Sequence, residues 1–209
     1  IAIPLGITAA THQYSLRDYI VTILVMIGIS LPSFFFGNIL KNWFSLELGW
    51  FPNQGLTDAT QDFSGFALIL DYLRHLFLPV LTVVILSIGA RMRMTRTNML
   101  EVLNSDYIRT ARAKGLKEKV VINKHAFRNT MIPLVTSLAG LLPSLFSGAI
   151  ITEQGFGLPG IGRLAYQALK EGDIPFIMGY NMFLAMLSVL GVLLADLMYA
   201  VVDPRVRLG

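Results

Sequence analysis

The feature that most constrains this chain is a set of long runs without a charge. Residues 19–36 read YIVTILVMIGISLPSFFF, and the run can extend to Leu40. Residues 131–152 form a second uncharged run, and residues 174–195 a third whose apolar character resumes after Asp196 as far as Val202. A helix that crosses a bilayer needs about 20 mostly apolar residues. Residues 76–90 are shorter and end at Arg91; they still reach across if Arg91 and Arg93 send their charged ends to the interface. A buried soluble helix is the other reading of so short a run. Composition agrees with the membrane reading: 54% of the chain is hydrophobic and 14% charged, against about 25% charged in an ordinary soluble domain. With no cysteine, a disulfide scaffold is excluded. Residues 1–10 are apolar but short, with no initiator Met and no basic flank, so they do not look like a signal peptide. They read as the tail of a spanning helix whose start is missing, and the chain as a fragment.

Basic residues orient the spans, because cytoplasmic loops carry an excess of Lys and Arg. Ten of the 17 fall between Arg91 and Arg128: Arg91, Arg93, Arg96, Arg109, Arg112, Lys114, Lys117, Lys119, Lys124 and Arg128. Alternation then puts Arg17, Arg205 and Arg207 inside as well, and leaves Lys41, Arg74, Arg163 and Lys170 outside. The net charge of +4 therefore reflects orientation. Nucleic-acid binding is the competing reading of a basic stretch, but this one sits between two spans without an aromatic stacking platform. The expected organisation is one transmembrane domain over 1–209. It has a partial span at 1–10, spans at about 19–40, 76–92, 131–152 and 174–202, an inner loop at 91–130, and outer loops at 41–75 and 153–173. Pro32, Pro79, Pro143, Gly28, Gly89, Gly140 and Gly191 lie within the runs. Singly they suit ordinary packing; together they suit a bundle that bends, as a transporter would.

Catalytic patterns are sparse. His12, His75 and His125 make no HExxH pair and there is no thiol ligand, so no metal site is expected. No GxSxG elbow and no Walker A loop is present. If ATP drives transport here, the ATPase is another chain.

The inner loop is the most informative segment. Residues 101–133 read EVLNSDYIRTARAKGLKEKVVINKHAFRNTMIP. Ser105 or Asp106 can cap a helix over 107–114, and Gly115 fits the left-handed position that ends one. Residues 117–128 can form a second helix, with Val120, Val121 and Ala126 as its packed side. A short helix, a Gly stop and a second helix between two spans make an element suited to pushing a partner or being pushed by one. A solvated basic loop that only sets topology is the plainer alternative.

This segment resembles the inner loop of permease subunits of ATP-binding-cassette importers, in particular the dipeptide/oligopeptide/nickel permease family. DYIRTARAKGL at 106–116 carries the likeness, followed by HAFRN at 125–129 and IP at 132–133. LGWFP at 48–52, FGLPGIGRL at 156–164 and DLMYAVVDPRVR at 196–207 agree in the same order, so the likeness covers nearly the whole chain. The general importer loop reads EAA, three residues, Gly. Counting back from Gly115 puts Arg109, Thr110 and Ala111 at those positions, and only the last matches; the peptide branch commonly carries such a variant. The family usually begins with one more span and a sizeable outer segment.

The resemblance implies an all-α membrane protein, a polytopic helical bundle of the type I importer permease kind with a cytoplasmic coupling-helix loop. It implies that Asp106, Tyr107, Arg109, Thr110, Ala111, Arg112, Ala113, Lys114, Gly115 and Leu116 meet a cytoplasmic ATPase, the small Ala111 and Gly115 allowing close approach. The implied partners are a second permease, two ATPases, an extracytoplasmic binding protein and membrane lipid, with no nucleic acid. No cofactor is expected in this chain, ATP and Mg being bound by the ATPases. The implied place is the bacterial or archaeal cytoplasmic membrane. The substrate would be peptides, with nickel or other small solutes as alternatives, and the chain would perform no bond chemistry itself.

Two sites outside the loop draw notice. Asp196 is the one acid within an apolar run, and intramembrane carboxylates are candidate functional groups. Its place near the inner end suits an ion pair with Arg91 or Arg93. Glu153 precedes QGFGLPGIG, where a tight re-entrant turn followed by a short helix over 161–169 is expected. Glu153, Phe156, Pro159 and Gly160 are candidates for an outer gate or a binding-protein contact, or simply for a loop that caps the bundle. Asp58, Asp62 and Asp71 in the outer stretch can also face a binding protein. A secondary transporter driven by an ion gradient is the alternative from another class, resting on Asp196; an intramembrane enzyme lacks a recognisable nucleophile.

Overall fold

The computed structural model describes residues 1–202, and the regular structure within them is helical. Arg205, Arg207 and the end of the closing motif lie outside the described residues. In chain order the helices are α1 (Ala2–Thr11), α2 (Leu16–Ser30), α3 (Ser33–Leu40), α4 (Phe66–Leu103), α5 (Asp106–Ala113), α6 (Glu118–Val120), α7 (Phe127–Leu138), α8 (Leu141–Phe146), α9 (Ile150–Gly155), α10 (Ile161–Glu171) and α11 (Ile174–Val202). Two wider π-helical stretches, Lys41–Glu47 and Val121–Ala126, continue α3 and join α6 to α7. Three spans are long and apolar enough to cross a membrane, or four if the bent pair of α2 and α3 is one span.

The breakers act where their chemistry allows. Pro32 precedes α3 with φ −58° and ψ 140°, and the segments on either side meet at 101°. The uncharged run at 19–40 is therefore not one straight span. Pro79, by contrast, lies inside α4, which runs unbroken for 38 residues. This helix reaches well beyond the expected 76–92, into both the outer and the inner loop. The run at 131–152 divides into α7, α8 and α9, with breaks at Ala139–Gly140 and around Gly148, whose φ is +72°.

Residue contacts divide the chain into two compact units. The first comprises Ile1–Ile27, Ile88–Pro143 and the described residues from Ala185 onward. Its core is Ala10, Met99, Leu103, Ile108, Ala111, Val121 and Ala126. Helix α1 lies close on α4 at Gly6, where a methyl group would sit 2.6 Å from Thr95 Cβ. The buried hydroxyls of this core turn to their own helices: Thr95 donates to the Arg91 carbonyl at 2.8 Å and Thr130 to that of Ala126 at 3.0 Å. Buried hydroxyls are thus paired mainly within their own stretch of chain, and Thr130 also lies 3.1 Å from the Met99 sulfur on α4.

The second unit comprises Gly28–Ser87 and Ser144–Leu184. It is built on Leu40, Leu78 and Phe156, with Phe36, Phe44, Phe51, Leu81 and Leu158 around them. Phe51 stacks on Phe77 with centroids 4.6 Å apart. Lys41 Nζ donates to the Gly155 carbonyl at 2.8 Å, which ties the end of α3 to α9.

Candidate functional site

In the first unit, the inner-loop segment forms a braced turn. Helix α5 begins after Ser105, whose extended backbone (φ −74°, ψ 152°) suits an N-cap. Its hydroxyl does not cap: it donates to the Val102 carbonyl at 2.6 Å. The helix ends as expected, with Gly115 at φ +76° and its N–H on the Arg112 carbonyl at 2.9 Å. A methyl group there would touch nothing within 4 Å. Glycine is required by backbone conformation, because the left-handed region costs other residues about 1–2 kcal/mol.

The two faces of α5 differ sharply. Ile108 and Ala111, three apart and so on one face, are buried among Ala10, Met99, Leu103, Val121 and Ala126. Tyr107, Arg109, Thr110, Arg112, Ala113, Lys114 and Leu116 are exposed, as are Asp106 and Gly115. Ala111 was expected on a partner-facing surface, and this is corrected: its small side chain lets α5 approach its own chain. The second helix also departs from expectation. Val121 and Ala126 are fully buried, while Val120 is 38% exposed. The π-helical stretch explains this, because its wider turn aligns residues five apart. It puts Val121 and Ala126 on one side and turns Val120 outward.

Arg112 and Glu118 close the turn from its exposed side. Arg112 Nε lies 3.2 Å from Glu118 Oε2, and NH2 lies 2.7 Å from Oε1. These hydrogen bonds hold the Glu118 carboxyl below its usual range and the Arg112 guanidinium above its own. Asp106 and Arg109 make a looser exposed contact at 3.8 Å.

The expected pair of Asp196 with Arg91 or Arg93 does not form. All three are exposed, and no ion pair among the described residues joins them. The pair of this unit that links distant parts of the chain is Asp18 with Arg96. Asp18 is 3% exposed; its carboxylate accepts Arg96 Nε at 2.9 Å and NH2 at 2.8 Å. It also accepts the Tyr14 N–H at 3.1 Å and the Thr22 hydroxyl at 3.3 Å. Asp18 is buried against protein, and a carboxylate desolvated in that way needs a cation and hydrogen bonds. Sequence reasoning counted Arg96 only as an inner charge and passed over Asp18. The clue was present: Ser15 followed three residues later by Asp18 before an apolar run is a helix-start pattern, and Asp18 N–H does donate to Ser15 Oγ at 3.3 Å.

In the second unit, Glu153 organises the outer turn from within. Its carboxylate accepts the Ala149 N–H at 3.0 Å and the Arg163 N–H at 2.7 Å. A methyl group on Gly162 would sit 3.0 Å from the same carboxylate. The short helix after the turn is α10, one turn or less longer than expected. Phe156 is 4% exposed and packs in the core, so it is no surface contact. Pro159 is exposed at the turn. Beside it lies a basin of about 1220 Å³ whose lining includes Asp58, Asp71, Arg74, His75, Arg163 and Lys170. Asp71 and His75 are buried there, His75 Nδ1 lying 3.2 Å from Asp71 Oδ1. Asp58 caps its own turn, accepting the Thr60 hydroxyl at 2.6 Å and N–H at 2.9 Å. Those bonds lower its pKa.

Comparison with known proteins bears on this arrangement directly. The model of the family described as binding-protein-dependent transport system inner membrane component matches residues 2–208. The chain belongs to that family. It is an integral membrane protein, as its long apolar helices require. The oligopeptide transport system permease protein AppB of Bacillus subtilis (strain 168) is 42% identical over 207 residues, covering 99% of this chain and 64% of the relative. The dipeptide transport system permease protein DppB of Escherichia coli (strain K12) is 38% identical over 224 residues, covering 99% of this chain and 66% of the relative. The chain thus spans somewhat less than two thirds of the length of these curated relatives. Membership covers both units, since the matched residues contain the braced turn and the Glu153 turn alike.

Proposed function

We propose that this chain is the membrane-embedded permease part of an ATP-driven importer of peptides in a bacterial cytoplasmic membrane. The observation that carries the reading is the braced turn at 105–118. It is anchored by Ile108 and Ala111 and presents an exposed surface that mixes the basic Arg109 and Lys114 with polar and apolar side chains. That surface, made of Asp106, Tyr107, Arg109, Thr110, Ala113, Lys114, Gly115 and Leu116, would dock on a cytoplasmic ATPase. A push on it passes into α4 and α7 through the shared core, so ATP-driven closure below would open the path inward or outward in turn. ATP and Mg would sit on the ATPases. A second permease, similar in kind, would complete the path, and an extracytoplasmic binding protein would deliver substrate near the Glu153 turn. Relatives named for oligopeptide and dipeptide transport support peptides as the substrate class.

The test is co-purification of the full-length protein in mild detergent, with bound proteins identified by mass spectrometry. A stoichiometric cytoplasmic ATPase is expected, lost on Gly115→Asp while membrane insertion is retained. A chain that purifies without an ATPase from cells expressing its neighbours, and transports without ATP, would remove the proposal.

A further inference from the structure

The inner turn holds a feature that its role as a docking surface does not require. Of its exposed basic residues, Arg112 alone engages a carboxylate through two guanidinium nitrogens, Nε and NH2, on Glu118. The two residues stand on opposite sides of the Gly115 turn, six apart in sequence. Three backbone features make that turn soft: Gly115 has φ +76° and no neighbour to restrain a side chain, α5 has only eight residues, and α6 passes at once into a π-helical stretch. The buried face of α5 fixes its position through Ile108 and Ala111. Both lie before Arg112, so the segment from Lys114 to Lys117 has no buried residue of its own.

We propose that Arg112 and Glu118 form a clamp that stiffens the coupling turn, making them positioning residues for transport rather than contacts for the ATPase. The inference rests on the importer reading above for its transport consequence, and on geometry alone for the clamp itself. A bidentate guanidinium–carboxylate pair fixes relative orientation as well as distance, because two parallel hydrogen bonds resist rotation where one does not. Load applied at Lys114 or Leu116 then reaches both α5 and the helix leading into α7, instead of bending the turn at Gly115. Without the clamp, a docked ATPase spends its movement on the turn.

The test uses the complete transporter, with charge reversals Arg112→Glu and Glu118→Arg, singly and together. These 209 residues contain no cysteine. With any cysteine elsewhere in the complete protein replaced, Thr110→Cys and Lys124→Cys spin labels report the turn by their distance distribution. The labels are carried in a preparation separate from the one used for uptake and co-purification. Each single reversal is expected to broaden that distribution. Each is also expected to lower labelled trialanine uptake per ATP hydrolysed by about fivefold, the scale of an exposed pair with good geometry, while the ATPase still co-purifies. The double reversal is expected to restore both. Unchanged distances in the single variants would overturn the clamp, as would failure of the double variant to restore them. Loss of the ATPase on Arg112→Glu alone, unrepaired by the double reversal, would make Arg112 a partner contact and also overturn it. If the unaltered chain holds no ATPase, the importer reading falls, and the label distances still decide the clamp.

Discussion

At the scale of single residues, burial determines which charges matter. Asp18 and Asp196 are both aspartates near the ends of apolar helices, yet Asp18 is 3% exposed with four hydrogen-bond donors and Asp196 is exposed. Removing one partner of a buried pair leaves the other uncompensated and costs about 3–5 kcal/mol. Arg96 keeps 26% of its side chain exposed, which places Asp18→Asn toward about 3 kcal/mol on that scale. Asp196 has no ion-pair partner among the described residues, so Asp196→Asn is expected to cost less than Asp18→Asn. Thermal unfolding of the two variants in the same detergent checks the contrast. Equal shifts would show that the ion pair does not hold the start of α2 to α4.

At the scale of elements, the inner turn combines a buried anchor with an exposed clamp, and the two respond differently to solution conditions. Glu118 has its pKa lowered by Arg112. A carboxylate whose folded pKa lies below its unfolded one adds stability above the unfolded value, about 4.3 for Glu. That contribution is lost as pH falls through the folded value. The turn is therefore expected to hold the same label-to-label distance between about pH 6 and 8 and to loosen only below the usual carboxylate range. A distance that changes near pH 7 would point to a group other than Glu118. The anchor formed by Ile108 and Ala111 carries no charge and should not respond to acid in this way.

At the scale of the whole molecule, the distribution of basic residues sets the orientation. With ten of 17 Lys and Arg between Arg91 and Arg128, that stretch is expected inside. These 209 residues contain no cysteine, so an introduced thiol is the single one among them. Lys114→Cys should resist a membrane-impermeant thiol reagent added to intact cells, while Gln61→Cys should react. Both positions are exposed within their own units, so a protected thiol at Gln61 and a reactive one at Lys114 would reverse the assigned topology.

What the sequence determined by itself was whatever depends on local chemistry. Uncharged runs dictate helices that suit a bilayer, Gly115 dictates a stop, and DYIRTARAKGL identifies the element it ends. The exposed and buried faces of α5 followed only from the fold, because Ile108 and Ala111 are buried by Met99, Leu103, Val121 and Ala126 from other elements. The π-helical register that turns Val120 outward was equally illegible, since a one-residue change in turn width leaves no composition mark. Pro32 and Pro79 are both prolines in apolar runs, yet one lies at a 101° bend and the other within an unbroken helix. Asp18 finds Arg96 across 78 residues. Tertiary structure decided these points, because the energy of a charge, a proline or a small side chain is set by what the fold brings against it, and those neighbours are distant in the chain.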